Sequence, residues 1–354
     1  MKVMITGAGG LIGSQASKHY LSLGHQVFGI ENNMRRTFFG DRGDVTSSLN
    51  KIKANVAFQH LNIDIRNRSD VEACMSNVRP DVIIHAAAQP SHDKAAEIPY
   101  LDFETNAMGT LNMLETARNA VPGCVFIHVS TNKVYGDSPN KVPFVEKDSR
   151  FDFDEKLVGN YRGVSQKGFS ETFSIDNSMH SLFGASKLAA DIVAQEYGKY
   201  FDMNVGIFRG GCLTGPQHAG VELHGFLSYI VKCAIMGKHY NIFGYKGKQV
   251  RDQIHCADVV SCFDFFIANP KMGEVYNLGG GRENAASVLE VIDMIEKFSG
   301  KRLKYSVLEE HRKGDHICYM TDMTKYKCHF PKWKKVYTLE GIIKEMVEAE
   351  MNNE

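Results

Sequence analysis

The sequence predicts a doubly wound α/β protein, a parallel sheet covered by helices on both faces, with a smaller C-terminal lobe. Three observations carry that expectation. Short apolar runs recur along the chain: KVMIT at 2–6, QVFGIEN at 26–32, VAFQHLNID at 56–64, DVIIHAAA at 81–88, CVFIHVS at 124–130 and NVGIFRG at 204–210. Stretches of helical spacing separate them, among them SQASKHYLSLG with its glycine stop at Gly24, and TNAMGTLNMLETARNA. Strands that are apolar on both faces and alternate with helices belong to a sheet buried on both sides. The third observation is a change of composition after Arg209. There GGCLTGPQHAGVELHG reads as a loop, LSYIVKCAIMG as a helix, and YNIFGYKGKQVRDQIH as a strand pair around a glycine-rich turn. The expected division is residues 1–205 for the sheet domain, with a loop insertion at about 137–180 that is rich in charge, Gly, Ser and Asn. Residues 206–354 form mainly the second lobe, with some segments returning to the first.

At 354 residues and 43% hydrophobic, the chain has ample material for a packed core. Lys plus Arg number 41 and Asp plus Glu number 41, so no summed field favours nucleic acid or an anionic membrane. An anionic ligand must therefore be held by a local site. The eight cysteines form no CxxC pair and no secretory pattern opens the sequence, which suits reduced thiols in a cytoplasm. No apolar run approaches the roughly 20 residues that cross a bilayer.

The first strand runs directly into ITGAGGLIG, whose turn carries Gly7, Gly10, Leu11, Ile12 and Gly13 at the start of a helix. Glycines there permit the tight turn, let backbone N–H groups approach a pyrophosphate, and allow the helix to pack closely on the sheet. This is a Rossmann-like dinucleotide signal. Glu31, followed by Asn32, ends the next strand, where a carboxylate accepts hydrogen bonds from ribose hydroxyls and repels a 2′-phosphate. That favours NAD, while Arg35 and Arg36 close behind pull toward NADP. Asp64, beside Ile65, is either a partner for the adenine amino group or a helix cap.

With GAGGLIG, HAAAQPS, STNKVYG, the Lys187 segment and GKQVRD in this order, the chain resembles the extended short-chain dehydrogenase/reductase family along nearly its whole length. Within that family it is similar to the nucleotide-sugar epimerases, and STNKVYG and GKQVRD suggest those acting at C2 of a CDP-linked deoxysugar. The resemblance implies NAD as cofactor, a nucleotide-diphosphate sugar as substrate, and a homodimer formed through two helices of each subunit. It also implies that Thr131 bonds a sugar oxygen beside Asn132 and that Lys187 holds the nicotinamide ribose. Ala86, Ala87 and Ala88 run close to the cofactor, and Ser130 touches the nicotinamide or simply ends its strand. Arg209, Gln249, Arg251 and Arg312 are the candidates for holding the substrate. Two guanidinium groups at 251 and 312 suit a diphosphate, since each forms paired charge-assisted hydrogen bonds. Arg251 beside Asp252 also reads as a structural ion pair.

One position departs from the family. Its tyrosine, the general base whose pKa the lysine lowers, falls in HSLFGASK on Phe183, and a phenyl ring neither donates nor accepts a proton. His180, an imidazole one helical turn earlier, is the expected substitute, with Tyr161 and Glu171 of the insertion as further groups near the sugar. Sugar-nucleotide dehydratases carry Asp-Glu after the threonine, whereas this chain has Asn132 and Lys133, which disfavours elimination of water. Three readings stand: an NAD-dependent epimerase, a one-way dehydrogenase or reductase, and a nucleotide-binding protein without turnover. His218, Glu222 and His224 tempt a metal reading but offer no ligand pair at helical spacing with further partners, so no metal is expected.

Overall fold

The computed structural model describes residues 1–216, 220, 225–310 and 314–352. Six of the sheet strands come from the apolar runs noted above and a seventh lies near residue 276. They are β1 (Lys2–Thr6), β2 (Gln26–Ile30), β3 (Phe58–Leu61), β4 (Val82–His85), β5 (Val125–Thr131), β6 (Asn204–Gly210) and β7 (Glu274–Leu278). They form one sheet in the order β7-β6-β5-β4-β1-β2-β3. The pairings from β3 through β2, β1 and β4 to β5 are parallel. Every residue of β4 is buried, as are all but the first of β1, which is why these strands read as continuous apolar runs.

The strand order reverses between β1 and β4, the topological switch point of a doubly wound sheet, where the chain leaves two neighbouring strands in opposite directions. The glycine turn follows β1 there, and the three alanines follow β4. Three helices matter to what lies above that point: α1 (Leu11–Ser22), α2 (Gly109–Ala120) and α3 (Ser181–Tyr200). One core cluster joins Met4, Ile83, Phe126 and Val205 of the strands to Met113 and Leu114 of α2 and Ala194 and Tyr197 of α3.

The chain divides into two compact units. The first takes Met1–Val134, Leu182–Arg209 and Val259–Tyr276, and the second takes Tyr135–Ser181, Gly210–Asp258 and Asn277–Glu354. Inside the second unit, helices Phe226–Ile235, Val288–Ser299 and Leu339–Met351 share an apolar core with Ile242 and Leu303. The Val288–Ser299 helix starts with a capping box, in which the Ser287 side chain accepts from Glu290 N and Glu290 reaches back to the Ser287 N–H.

Two local expectations are corrected in this unit. The segment around GYKGKQ is not a strand pair: Tyr240–Phe243 pairs in parallel with Tyr305–Leu308, while Val250–His255 joins Cys212–Thr214, Ala285–Ser287 and Cys318–Tyr319. The glycines at 244 and 247, with φ of 67° and 74°, make a 3₁₀ turn that carries the chain from one sheet to another instead of folding it back. The 137–180 stretch also holds regular structure, with two short antiparallel pairs, Phe144–Glu146 with Phe151–Phe153 and Val164–Ser165 with Gly168–Phe169. Among the described residues, no helix is long and apolar enough to cross a membrane.

The first unit is locked by a buried ion pair. Arg209 at the end of β6 donates from Nε and Nη2 to the two oxygens of Asp191 on α3, at 3.0 and 2.8 Å, and Ser130 at the end of β5 donates to the same carboxylate. Asp191 is 0% and Arg209 4% exposed. Removing one partner leaves the other charge buried without its counterpart, which costs about 3–5 kcal/mol. Asp191→Ala should therefore lower the urea midpoint by that much stability with the slope unchanged, and a loss under about 1 kcal/mol would show the pair to be a surface-like contact.

Candidate active site

The glycine turn is built so that no side chain fits where backbone must pass. Gly7 has φ of 69°, and a Cβ on it would stand 2.9 Å from Ala87 N, so the turn after β1 and the alanine loop after β4 touch through backbone. A Cβ on Gly13 would come 2.0 Å from Gly7 O, which is what lets α1 sit against the strand end. Gly10 caps α1 with no side-chain hydrogen bond and no acidic residue stands in its first turn, so the N–H groups at Leu11 and Ile12 begin a helix whose dipole faces outward uncompensated. The Glu31 carboxylate sits at the same turn, accepting from Gly9 N at 3.1 Å and Asn33 N at 2.7 Å. Asn32 accepts from Met34 N and shapes the turn beyond. A close backbone approach, a free helix start and a carboxylate within the turn fit the pyrophosphate and ribose of a dinucleotide.

Of the two arginines behind Glu31, Arg36 is taken by Asp41 at 2.8 Å. Arg35 lies over the Phe39 ring at 5.0 Å, and burial lowers its pKa to about 10 against the opposing pull of Glu31. Asp64 is engaged by Arg66, which chelates it at 2.6 to 3.1 Å. It does not cap a helix, because the next one starts at Arg68 with Asn67 as its cap, so that alternative is removed. Ile65 is buried against the edge of Gly109, and its carbonyl accepts from Asn112. Ala86 and Ala87 are tied down by N–H bonds to Thr6 O and Thr6 Oγ1, and Ala88 follows them in the same loop.

On the other side of the switch point, β5 delivers Val129, Ser130 and Thr131 in succession. Lys187 of α3 donates to Val129 O at 2.9 Å from a 5% exposed position. Burial lowers its ammonium from 10.5 to about 8, offset in part by Asp191 and Asp102. Thr131 Oγ1 accepts from Lys133 N at 3.3 Å, and Asn132 is buried beside it. Ser130 is held by Asp191, so it anchors the strand end. Beneath these residues His85 and His128 stack at 5.7 Å, both kept neutral by burial with Lys187 adding to the effect; His85 is lowered to about 3.

The helix that carries Lys187 differs from the sequence expectation at its start. It begins at Ser181, whose φ of 58° turns the chain, so His180 precedes the helix and is not on the face of Phe183 and Lys187. The relation of one helical turn on which His180 was favoured does not exist. Phe183 itself is 6% exposed and packs edge-on against His92, ring centroids 4.9 Å apart. His92 directly follows the HAAAQPS motif, and its contact with Phe183, 91 positions away in the chain, leaves no local pattern in the sequence.

Candidates in the second unit are placed as follows. Arg251 pairs with Asp315 through Nη2 and donates from Nη1 to Val250 O, so the alternative of a structural pair with Asp252 is removed; Asp252 instead accepts from Gly281 N and Thr321 N. Gln249 donates to Phe243 O at 3.4 Å, and its Oε1 is buried with no partner among the described residues. Glu171 accepts from Asn277 N at 2.7 Å and burial raises its pKa. Tyr161 is 38% exposed. Arg312, His218, Glu222 and His224 lie outside the described residues.

Two predictions come from this geometry. Gly13→Ala should displace the turn at Gly7 and reduce the dinucleotide released on denaturation by roughly tenfold or more, since P–O contacts at a helix start depend on backbone approach; unchanged release would show that the turn is not the binding element. For Lys187, the folded-state pKa lies below the unfolded one, so the unfolded chain holds more protons between pH of about 8 and about 10.5 and stability rises with pH across that window. Lys187→Met should thus exceed the wild type in stability at pH 7, by at most about 3 kcal/mol, and lose that margin by pH of about 10.5. Denaturant midpoints of both proteins across the range check it.

Comparison with known proteins bears on the same residues. The chain is 29% identical to the CDP-paratose 2-epimerase of Salmonella typhi over 97% of this chain and 98% of that protein. It is 27% identical to the dTDP-glucose 4,6-dehydratase of Salmonella typhimurium, over 100% of this chain and 93% of the other. A crystal structure of a tyrosine-to-phenylalanine mutant of the UDP-glucuronic acid 4-epimerase of Bacillus cereus, in complex with UDP-4-deoxy-4-fluoro-glucuronic acid and NAD, superposes with a TM-score of 0.77 at 24% identity. It covers all of both chains and so shares the fold. The sequence profile of the NAD dependent epimerase/dehydratase family matches residues 3–279, and with the glycine turn, Glu31 and Lys187 in place the chain belongs to that family as an NAD-dependent enzyme of the extended short-chain dehydrogenase/reductase type.

Proposed function

We propose that the protein epimerises a nucleotide-diphosphate sugar, at C2 of a CDP-linked deoxysugar, without net consumption of its cofactor. The observation that carries this reading is that one compact unit holds the glycine turn with Glu31 and, across the switch point, Lys187 and Thr131 at the end of β5. Asn132 and Lys133 follow that threonine where the dehydratases bear an acid pair, and the similarity to CDP-paratose 2-epimerase extends over nearly the full length. Bound NAD supplies a two-electron acceptor that takes a hydrogen with its electron pair from a sugar carbon and returns it to the other face.

The chain's own residues do the rest. The N–H groups at Leu11 and Ile12 receive the cofactor's pyrophosphate, Gly10, whose own N–H closes the turn on Gly7 O, and Gly13 keep side chains out of its way, and Glu31 takes its adenosine ribose, with Asn32, Asp64 and Ile65 bordering the adenine. Ala86, Ala87, Ala88 and Ser130 shape the nicotinamide side. Lys187 holds the nicotinamide ribose, and its positive charge stabilises negative charge growing on a sugar oxygen that Thr131 orients. Gln249, Arg251 and Arg312 serve the diphosphate, with Asn132 near the sugar. Arg209 acts as a positioning residue, because its guanidinium fork is closed on Asp191. We also propose a homodimer through the stretches 103–120 and 186–201, which expose Phe103, Met108, Ile192 and Tyr200, and a cytoplasmic location.

Phe183 favours one competing reading, an NAD or nucleotide-sugar binder without turnover. The test is to denature the purified protein, identify the released nucleotide by mass spectrometry, and then incubate the native protein with CDP-paratose and with UDP- and dTDP-sugars. Epimerisation predicts retained NAD, appearance of an epimer, and no net absorbance of reduced cofactor. A steady rise in that absorbance indicates one-way oxidation instead. Retained NAD with no product from either the wild type or Phe183→Tyr overturns the enzyme reading in favour of the binder.

A further inference from the structure

An active site that moves a hydrogen from a sugar carbon must also take the hydroxyl proton, and Phe183 offers no atom for it. The structure puts an imidazole against that phenyl ring. His92 and Phe183 meet at 4.9 Å between centroids with an interplanar angle of 67°, and Lys187 lies one turn along the same helix from Phe183. His92 is half-buried: part of its ring is open, while its Nε2 is covered by the protein. His85 and His128 of the same unit, at 1% and 0% exposure, are sealed from any substrate.

This contact is held by a network rather than by chance packing. Gln89 donates from Nε2 to Ser91 O at 2.8 Å and accepts from Ser91 N at 2.7 Å, so one amide clamps both sides of the residue before His92. The same Nε2 donates to Asp102 at 2.7 Å, and Asp102 accepts from Ser186 Oγ at 2.6 Å, the residue next to Lys187. Asn106 exchanges hydrogen bonds with both backbone groups of Gln89 and donates to Ser186. Ser91 then caps the short helix His92–Glu97 through Lys94 N. Loop and helix are thereby registered so that His92 meets position 183.

We propose that His92 is the catalytic acid and base of this enzyme, in the part that a phenol at position 183 would otherwise play. The proposal rests on the epimerase reading above. When the sugar hydroxyl is oxidised, its O–H bond breaks and an N–H bond forms on the His92 ring. The O–H electron pair becomes the second bond of the ketone, while the carbon's hydrogen leaves with its own pair to NAD. On the return leg the ketone carbon regains that hydrogen on its other face and the His92 proton goes back to the oxygen. The histidine ends as it began, and nothing is consumed.

The test uses the full-length, NAD-loaded protein with CDP-paratose. His92→Gln keeps a polar side chain of similar size but takes no proton near neutral pH, so kcat should fall about 100-fold to 10,000-fold with KM within about threefold and NAD retained. Adding Phe183→Tyr to His92→Gln should recover roughly tenfold or more of the loss, a rescue that a packing role for His92 would not give. Independently of turnover, the His92 signal in NMR spectra of protein carrying isotopically labelled histidine, assigned by its absence in His92→Gln, should move with CDP-paratose and stay put with CDP alone. A wild type that turns over while His92→Gln stays within about threefold of it overturns the proposal and leaves the epimerase standing, whereas an inactive wild type switched on by Phe183→Tyr overturns both and makes the natural protein a binder. Absence of turnover in every variant, with NAD retained, removes the epimerase reading and His92 with it.

Discussion

The site depends on one buried carboxylate. Asp102 is 1% exposed, and its oxygens accept from Gln89, Asn106 and Ser186. Burial raises its pKa while the bonds from Ser186 and Gln89 pull it down, so the network that stabilises the charge is also what orders the loop after β4 against α3. A buried carboxylate deprived of its donors is expensive, which makes the arrangement close to all-or-none. The backbone around it is shaped to suit: Glu104–Met108 forms a π-helical turn between Pro99–Phe103 and α2, and that widened turn carries Asn106. Asn106 O accepts from Thr110, whose hydroxyl is then left to accept from His85 Nε2, and His85 Nδ1 in turn faces Thr6 Oγ1 at 2.8 Å. The chain of bonds therefore runs from α3 through the π turn to the end of β1, where the glycine turn begins.

Charge is handled in the same economical way. The whole molecule carries equal numbers of Lys plus Arg and Asp plus Glu, so no long-range field recruits an anion, and the buried charges at Asp102, Asp252 and Asp191 are met locally, the first two by neutral donors and the third by Arg209. Arg209 is closed by Asp191. Lys187 is the exception in kind, since its direct partner is a carbonyl, Val129 O, and its neighbouring carboxylates lie beyond hydrogen bonds. A cation desolvated but only partly neutralised gains more from a developing negative charge than a paired one does, because its partner has not already been supplied. This electrostatic role needs no phenol.

Much of this was legible from contiguous residues. The glycine turn and Glu31 sit in a motif whose spacing states its chemistry, Lys187 and Thr131 are singled out by the family resemblance, and the sheet strands announce themselves as apolar runs. What was not legible depends on contacts between distant positions. Asp102 meets Ser186 across 84 residues and Arg209 meets Asp191 across 18, and neither pair leaves a periodic trace. The strand partners of Tyr240–Phe243 were misread because a glycine turn specifies a change of direction and not which sheet the chain enters next. His180 was favoured on helical spacing, and a single positive φ at Ser181 removed that spacing.

Phenylalanine at 183 makes physical sense within this setting. A buried tyrosine needs a hydrogen-bond partner for its hydroxyl, and leaving that group unsatisfied costs about 1–3 kcal/mol. The phenyl ring at this position has no such requirement and fills the same space, with the edge of an imidazole against it in a geometry that aromatic rings favour. In a tyrosine–lysine pair, one helix carries both the acid–base group and the cation that tunes it. Here α3 keeps the cation, and a ring able to exchange a proton, His92, stands against position 183 from the short helix that follows the loop after β4. The two functions are then held in register by Gln89, Asp102 and Ser186 instead of by helical spacing, which moves the burden of alignment from one element to a network and makes those three residues as decisive for the site as the groups they align.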